Sequence, residues 1–336
     1  MKRMDRRTFL LGSIGGFIAV LPKPAGNIMT VNGLIRPEQM GTALIHEHFL
    51  VDFIGADRIN PHRWNRDKVV NKVLPYLLEA KKAGVKTLFE CTPAFLGRDV
   101  RILQQLAALS GLHLVTNTGY YGAVENKYLP PHAFIETAEQ LAQRWIDEAK
   151  SGIEGTGVRP GFIKISVDAK GPLSDLHKKL VQASALAHLK TGLTIFSHTG
   201  PAAGAFEQLT ILQKAGVHPG AFVWVHAQTE KNLSTYERAA RMGAWVSLDG
   251  VGWGSTDEYV DALVFMKNKR LAHRVLISHD AGWYKPDEPD GSFQGYTAIF
   301  TDLIPRLHAK GFTKKDRVQL LVKNPAAAMQ MKVRTT

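Results

Sequence analysis

Short apolar runs rich in β-branched and aromatic residues alternate along this chain with longer stretches whose apolar positions recur every three or four residues. The short runs fall at residues 43–48, 85–91, 112–118, 161–166, 193–198, 222–226, 244–248 and 275–280, and their length and composition predict β-strands. The longer stretches, at 68–83, 100–109, 137–150, 174–190, 205–215, 233–242 and 256–267, predict helices. Two of these stop at a glycine, Gly84 and Gly111, a residue that ends helices readily. Eight strands alternating with helices predict an α/β fold, specifically a (β/α)8 TIM barrel. A doubly wound open sheet is the competing arrangement, but no Gly-rich dinucleotide turn follows the first strand. Ahead of that strand, residues 28–36 predict a small β-hairpin turning at Asn32-Gly33.

With 336 residues and 45% hydrophobic content, the chain can bury one large core as a single domain. Cys91 is the one cysteine, which excludes a disulfide framework and a cysteine-rich zinc site. The net charge is +12; residues 1–25 hold five lysines and arginines against Asp5, so +4 belongs there and +8 to the rest. No basic stripe is interleaved with aromatics, so nucleic acid is not an expected partner.

Asp5-Arg6-Arg7-Thr8-Phe9-Leu10-Leu11 resembles a twin-arginine export signal. The apolar run that follows, residues 10–21, is too short to span a bilayer, so no stable membrane insertion is expected. We read residues 1–26 as the signal and 27–336 as the single barrel domain, exported to the periplasm. The twin-arginine route carries folded proteins, which suits an enzyme that takes up its cofactor before export.

Barrel enzymes place their chemistry at the C-terminal ends of the strands. The first strand ends in His46-Glu47-His48; alternation puts both imidazoles on one face and Glu47 on the other. In the fourth, Lys164 sits between Ile163 and Ile165 and faces the axis if those two pack on helices. A lysine cation is costly to bury in an apolar strand, and the neutral amine is reactive. The fifth ends in His198, the sixth in His226 and the eighth in Asp280. Imidazole plus carboxylate at one rim suits a metal ion, with zinc the default on ligand type.

These residues carry a resemblance. The chain is similar to the phosphotriesterase family of the amidohydrolase superfamily from about Val31 to Ala326. The matching pieces are the His46/His48 pair, Leu96-Gly97-Arg98-Asp99, Thr118-Gly119-Tyr120-Tyr121, Ile163-Lys164-Ile165, Ser197-His198-Thr199, Val225-His226, Ser278-His279-Asp280 and Asn324-Pro325-Ala326. The resemblance implies two divalent metals, with Lys164 carboxylated by CO2 as their bridge. It implies that His46, His48 and Asp280 hold the buried ion, and that His198 and His226 hold the exposed one. It further implies a bridging hydroxide that attacks a lactone or ester carbonyl or a phosphotriester, with Asp280 as the catalytic proton carrier. Tyr121 stands where lactonase members carry tyrosine and phosphotriesterase members tryptophan, which favours lactones.

Trp253, Trp283, Asp249 and Tyr284 follow the last two strands and are expected to line the substrate pocket, since rim loops set specificity in barrels. Glu90 could support a ligand from behind or be purely structural; Arg98 and Asp99 are expected to pair or cap a helix, and His279 to pack outward. The competing functions are an amidohydrolase acting on C–N bonds and a non-catalytic exported binding protein on the same barrel. By analogy with related barrels, the chain forms a homodimer.

Overall fold

The computed structural model describes residues 26–169 and 171–336. The export signal read at residues 1–26 lies outside the described residues except for Gly26.

The fold is mixed α/β with parallel sheets. β1 (Ile28–Thr30) and β2 (Gly33–Ile35) form the antiparallel hairpin; Thr30 pairs with Gly33, so its loop is Val31-Asn32, one residue earlier than expected. The parallel strands are β3 (Ala43–Leu50), β4 (Thr87–Glu90), β5 (His113–Val115), β6 (Asn117–Thr118), β7 (Phe162–Ser166), β8 (Thr194–His198), β9 (Phe222–Val225), β10 (Trp245–Leu248), β11 (Val275–Ile277) and β12 (Gly282–Tyr284). One sheet runs β11-β10-β9-β8-β7-β6 and the other β12-β3-β4-β5. A single residue, Thr116, separates β5 from β6, which divides the strand expected over 112–118 between the two sheets. Beyond the other end, the Asp280 amide donates to the His46 carbonyl at 2.9 Å.

The seven helical stretches form with ends within a few residues of expectation. Arg66–Lys82 is capped by the Asn65 side chain accepting from the Lys68 amide, and it buries Val69, Val73, Leu77 and Ala80 at helical spacing. Val100–Ser110 is capped by Asp99 and stops at Gly111, whose φ of 68° closes it. Arg98 pairs with Glu148 at 2.7 Å, so both residues play the scaffold role expected of them.

Alternation along the strands divides the core in two. Ile163, Ile165 and Ile195 belong to the large layer between strands and helices. Phe162, Phe196, Val223, Val225 and Leu276 belong to a smaller interior cluster, together with Ile45, Phe89 and Cys91. Lys164 alternates with Ile163 and Ile165 and therefore shares the interior face with Phe162.

β12 was not expected. Gly282 pairs with His48 and Tyr284 with Leu50, so Tyr284, expected at the pocket, is instead buried against the core. A Cβ at Gly282 would run into the His48 carbonyl, and one at Gly119 into that of Lys164; both glycines have positive φ, 108° and 114°. Among the described residues, no helix is long and apolar enough to cross a membrane.

Candidate metal centre

Three departures from regular strand geometry aim the site. Ala43 and Ile45 point into the interior cluster and Leu44 points out, so plain alternation would turn His46 outward. The pairing of β3 with β4 shifts register between Leu44 and Glu47, and this irregularity turns His46 and His48 inward instead. At the end of β9, Val225 points inward and alternation would turn His226 away; its φ of 60° swings it back. Asp280, past the end of β11, has φ 52°. Non-glycine residues in this left-handed region cost of order 1–3 kcal/mol each and persist where surrounding contacts hold them.

The sequence-predicted ligands come together. Lys164 is 1% exposed and its Nζ lies 3.0 Å from His46 Nε2. Asp280 Oδ1 lies 3.0 Å from His48 Nε2 and 3.5 Å from His46 Nε2. The His46 ring centroid is 5.3 Å from that of His48 and 5.1 Å from that of His226, and His226 lies 4.3 Å from His198.

Burial, and then the Lys164 charge, hold His46 down at about 4; burial and the nearby His226 hold His198 well below the usual histidine range. Both rings are therefore neutral with a lone pair to offer. Burial would push Asp280 up, but the surrounding histidines outweigh it and hold its carboxyl below the usual range. Its buried Oδ1 receives no hydrogen bond. Two imidazole nitrogens and an unpartnered carboxylate oxygen converging in a buried space are the donor chemistry a divalent ion satisfies. His46, His48 and Asp280 offer ligand atoms all within 4.8 Å of one another.

Asp249 was expected to line the pocket; it is instead wholly buried behind the histidines. It accepts from His226 Nδ1 at 2.8 Å and faces His46 Nδ1 at 3.1 Å. It also takes the Ser247 hydroxyl at 2.7 Å and the Gln228 amide at 3.2 Å. His46, His226 and Asp249 also lie close enough to hold an ion. With its oxygens already engaged, however, Asp249 acts as the acceptor that fixes His226, and as the negative charge beside the Nδ1 edge of His46. Burial would raise Asp249 and lower His226; their mutual attraction outweighs both, keeping the aspartate ionised and raising the histidine. Asp249→Asn should weaken metal affinity about 10–100-fold, read by competition with a chelator, while the fold persists by circular dichroism.

Two further residues define the surroundings of His48. Its Nδ1 contacts Thr92 Oγ1 at 2.7 Å, a partner the sequence reading missed. Glu90 accepts from the amides of Phe49 and Thr92, one step back from the ring, and burial raises its pKa.

The residues expected at the substrate side stand over the histidines. Tyr121 Oη is 3.2 Å from both ring nitrogens of His198, and burial raises its pKa, so it remains a hydroxyl donor. The indole nitrogens of Trp283 and Trp253 donate to the Asp280 carbonyl at 2.9 and 3.1 Å. Trp283 packs edge-on against His48 at 5.5 Å, and Trp253, 49% exposed, forms the outer edge. His279 packs outward as expected, its Nδ1 2.8 Å from Glu47 Oε1.

The strands thus deliver a rim of histidines, a carboxylate and an interior lysine, and this is the pattern of a known group of proteins. The phosphotriesterase family profile matches residues 26–329, and the chain belongs to that family. Three relatives span nearly its whole length. The phosphotriesterase homology protein of Escherichia coli (strain K12) is 28% identical over 293 residues, covering 86% of this chain and 98% of the relative. The aryldialkylphosphatase of Saccharolobus solfataricus is 29% identical over 306 residues, covering 87% and 95%. The N-acetyltaurine hydrolase of Danio rerio is 26% identical over 346 aligned residues, covering 89% and 97%.

Proposed function

We propose that this chain is a binuclear metal-dependent hydrolase that opens a lactone or related carboxylic ester, with phosphotriester hydrolysis as a side activity. The observation that carries the proposal is the convergence of Lys164 on His46 at 3.0 Å and of His46 and His48 on Asp280 at 3.5 and 3.0 Å, with His198 and His226 alongside. In this reading the two parallel sheets are one closed (β/α)8 barrel with the site in its C-terminal mouth.

His46, His48 and Asp280 would hold one divalent ion and His198 and His226 the other, with zinc the choice on ligand type. Lys164 would serve both as N6-carboxylysine: the neutral amine would add CO2 to give the carbamate and release one proton. When bound, such an ion pair makes water nucleophilic near neutral pH and polarises the acyl or phosphoryl oxygen. Asp280 accepts the proton from the attacking water and passes it to the leaving oxygen. Tyr121 donates toward the substrate side of His198, and Trp253 and Trp283 form an apolar wall for the substrate's body. The neutral tyrosine hydroxyl beside His198 supports a lactone carbonyl as the favoured group. The protein works in the periplasm, exported already folded, and as a homodimer.

A second reading, hydrolysis of an acyl amide, draws support from the similarity to an N-acetyltaurine hydrolase. A panel assay separates the two. Metal-loaded protein is offered lactones, paraoxon and N-acetyl amides, with bound metal counted in parallel. Lactone turnover with two metal equivalents is the expected result. Amide turnover without lactone turnover establishes the second reading, and one metal equivalent refutes the paired-ion centre. A non-catalytic binding protein would turn over none of the panel.

A further inference from the structure

A second concentration of chemistry lies at the opposite ends of the strands from the histidines. A cleft of about 690 Å³ opens there, walled by the residues that lead into β9, β10 and β11 and by the C-terminal tail. Trp245 opens β10, and the Arg274 guanidinium lies 4.9 Å from its ring centroid. Arg334, on the tail, donates through both terminal nitrogens to Thr194 Oγ1 and to the carbonyls of Ala327, Ala328, Gln330 and Lys332 at 3.1–3.3 Å, so its fork is engaged and it brings charge to the cleft. His218, His273 and Lys332 complete the basic lining, and none of the described residues that line the cleft is acidic.

Both guanidiniums are under electrostatic stress. Burial lowers Arg274 from the usual arginine range. Burial and the Arg274 charge lower Arg334 to about 10. Among the described residues, no carboxylate acts on either. Partly buried charges are ordinarily paired, and here the described residues supply only carbonyls, a hydroxyl and an indole face. The Trp245 nitrogen is itself engaged, donating to the Gly220 carbonyl at 3.2 Å, so its ring acts as a wall and not as a donor.

A ligand suited to this lining is anionic, offers several acceptor oxygens to the Arg274 fork and the Lys332 ammonium, and carries enough charge to offset Arg334 as well. A phosphate group meets all three needs, whereas a single carboxylate brings one charge. We propose that this cleft binds the phosphate group of an anionic ligand, at a site separate from the metal centre. The phosphate comes from a soluble phosphate compound or from a phospholipid headgroup.

Calorimetric titration of the metal-loaded full chain with inorganic phosphate at low salt tests the first source. Co-sedimentation with phosphatidylglycerol-containing vesicles tests the second. Arg274→Gln and, separately, Lys332→Gln should weaken binding, the former about tenfold or more, and added salt should weaken it further. Ester turnover should be unchanged in both variants. Phosphate bound at the metal centre contributes equally to all three proteins and so cancels in the comparison. Lys332 is exposed, so its variant keeps the test valid even if Arg274→Gln disturbs packing on Trp245. Vesicle binding that both variants weaken, without binding of free phosphate, identifies a lipid headgroup as the source. Binding of either probe that both variants leave untouched, or no binding at all, overturns the proposal.

Discussion

Lys164→Ala should lower kcat/KM by at least about a thousandfold, equivalent to ~4 kcal/mol of transition-state stabilisation. The side chain is buried in an apolar strand with Nζ 3.0 Å from His46 Nε2, and it shares the interior face with Phe162. As the proposed carbamate it would supply oxygen ligands to the metal, so removing it should also release metal. Alanine leaves a cavity large enough for a short carboxylic acid, and added acetate or propionate should restore part of the activity. Metal content measured alongside turnover makes the result decisive. Retained activity with two bound equivalents would refute the bridge, whereas a protein that regains both with acetate would establish that a carboxylate is what the position requires.

The largest stability effect is expected at Glu47, between the two first-strand histidines. Its Oε1 accepts from the Ser278 hydroxyl at 2.8 Å, the His279 amide at 3.1 Å and His279 Nδ1 at 2.8 Å, while Oε2 accepts from the Ala281 amide at 3.1 Å. The His279 ring continues the chain of bonds, its Nε2 accepting from the Ile299 amide at 3.1 Å. These bonds set the position of β3 against residues 278–281, and so of His46 and His48 against Asp280. Glu47→Leu leaves four buried donors without a partner and should cost about 3–5 kcal/mol. That is a large part of the 5–15 kcal/mol or so that typically holds a domain folded. Urea denaturation should move to a lower midpoint with an unchanged slope. A midpoint equal to wild type would mean that the network contributes nothing to the fold.

Strand and helix positions were legible because alternation and helical spacing report burial directly. The ligands were legible because ionisable residues ended otherwise apolar runs. What stayed hidden was the local geometry that aims them. Nothing in Thr42-Ala43-Leu44-Ile45-His46 marks the register shift that turns Ile45 and His46 to the same side. Nothing in Val225-His226 marks the left-handed turn at His226. Asp249 was misread because a carboxylate after a strand end has the same appearance whether it meets solvent or reaches across to two imidazoles. Its neighbour Ser247, which bonds it from within β10, was the available hint. Trp283 and Tyr284 were read as loop residues because three-residue strands such as Gly282–Tyr284 leave too little alternation to see.

His226 and Asp280 occupy backbone angles that glycine adopts freely and other residues resist. With the ligand roles proposed above, heat tolerance and metal binding are opposed at these two stations. A library of variants screened only for survival at high temperature would drift toward glycine there, and its winners would lose two of the proposed metal-holding side chains.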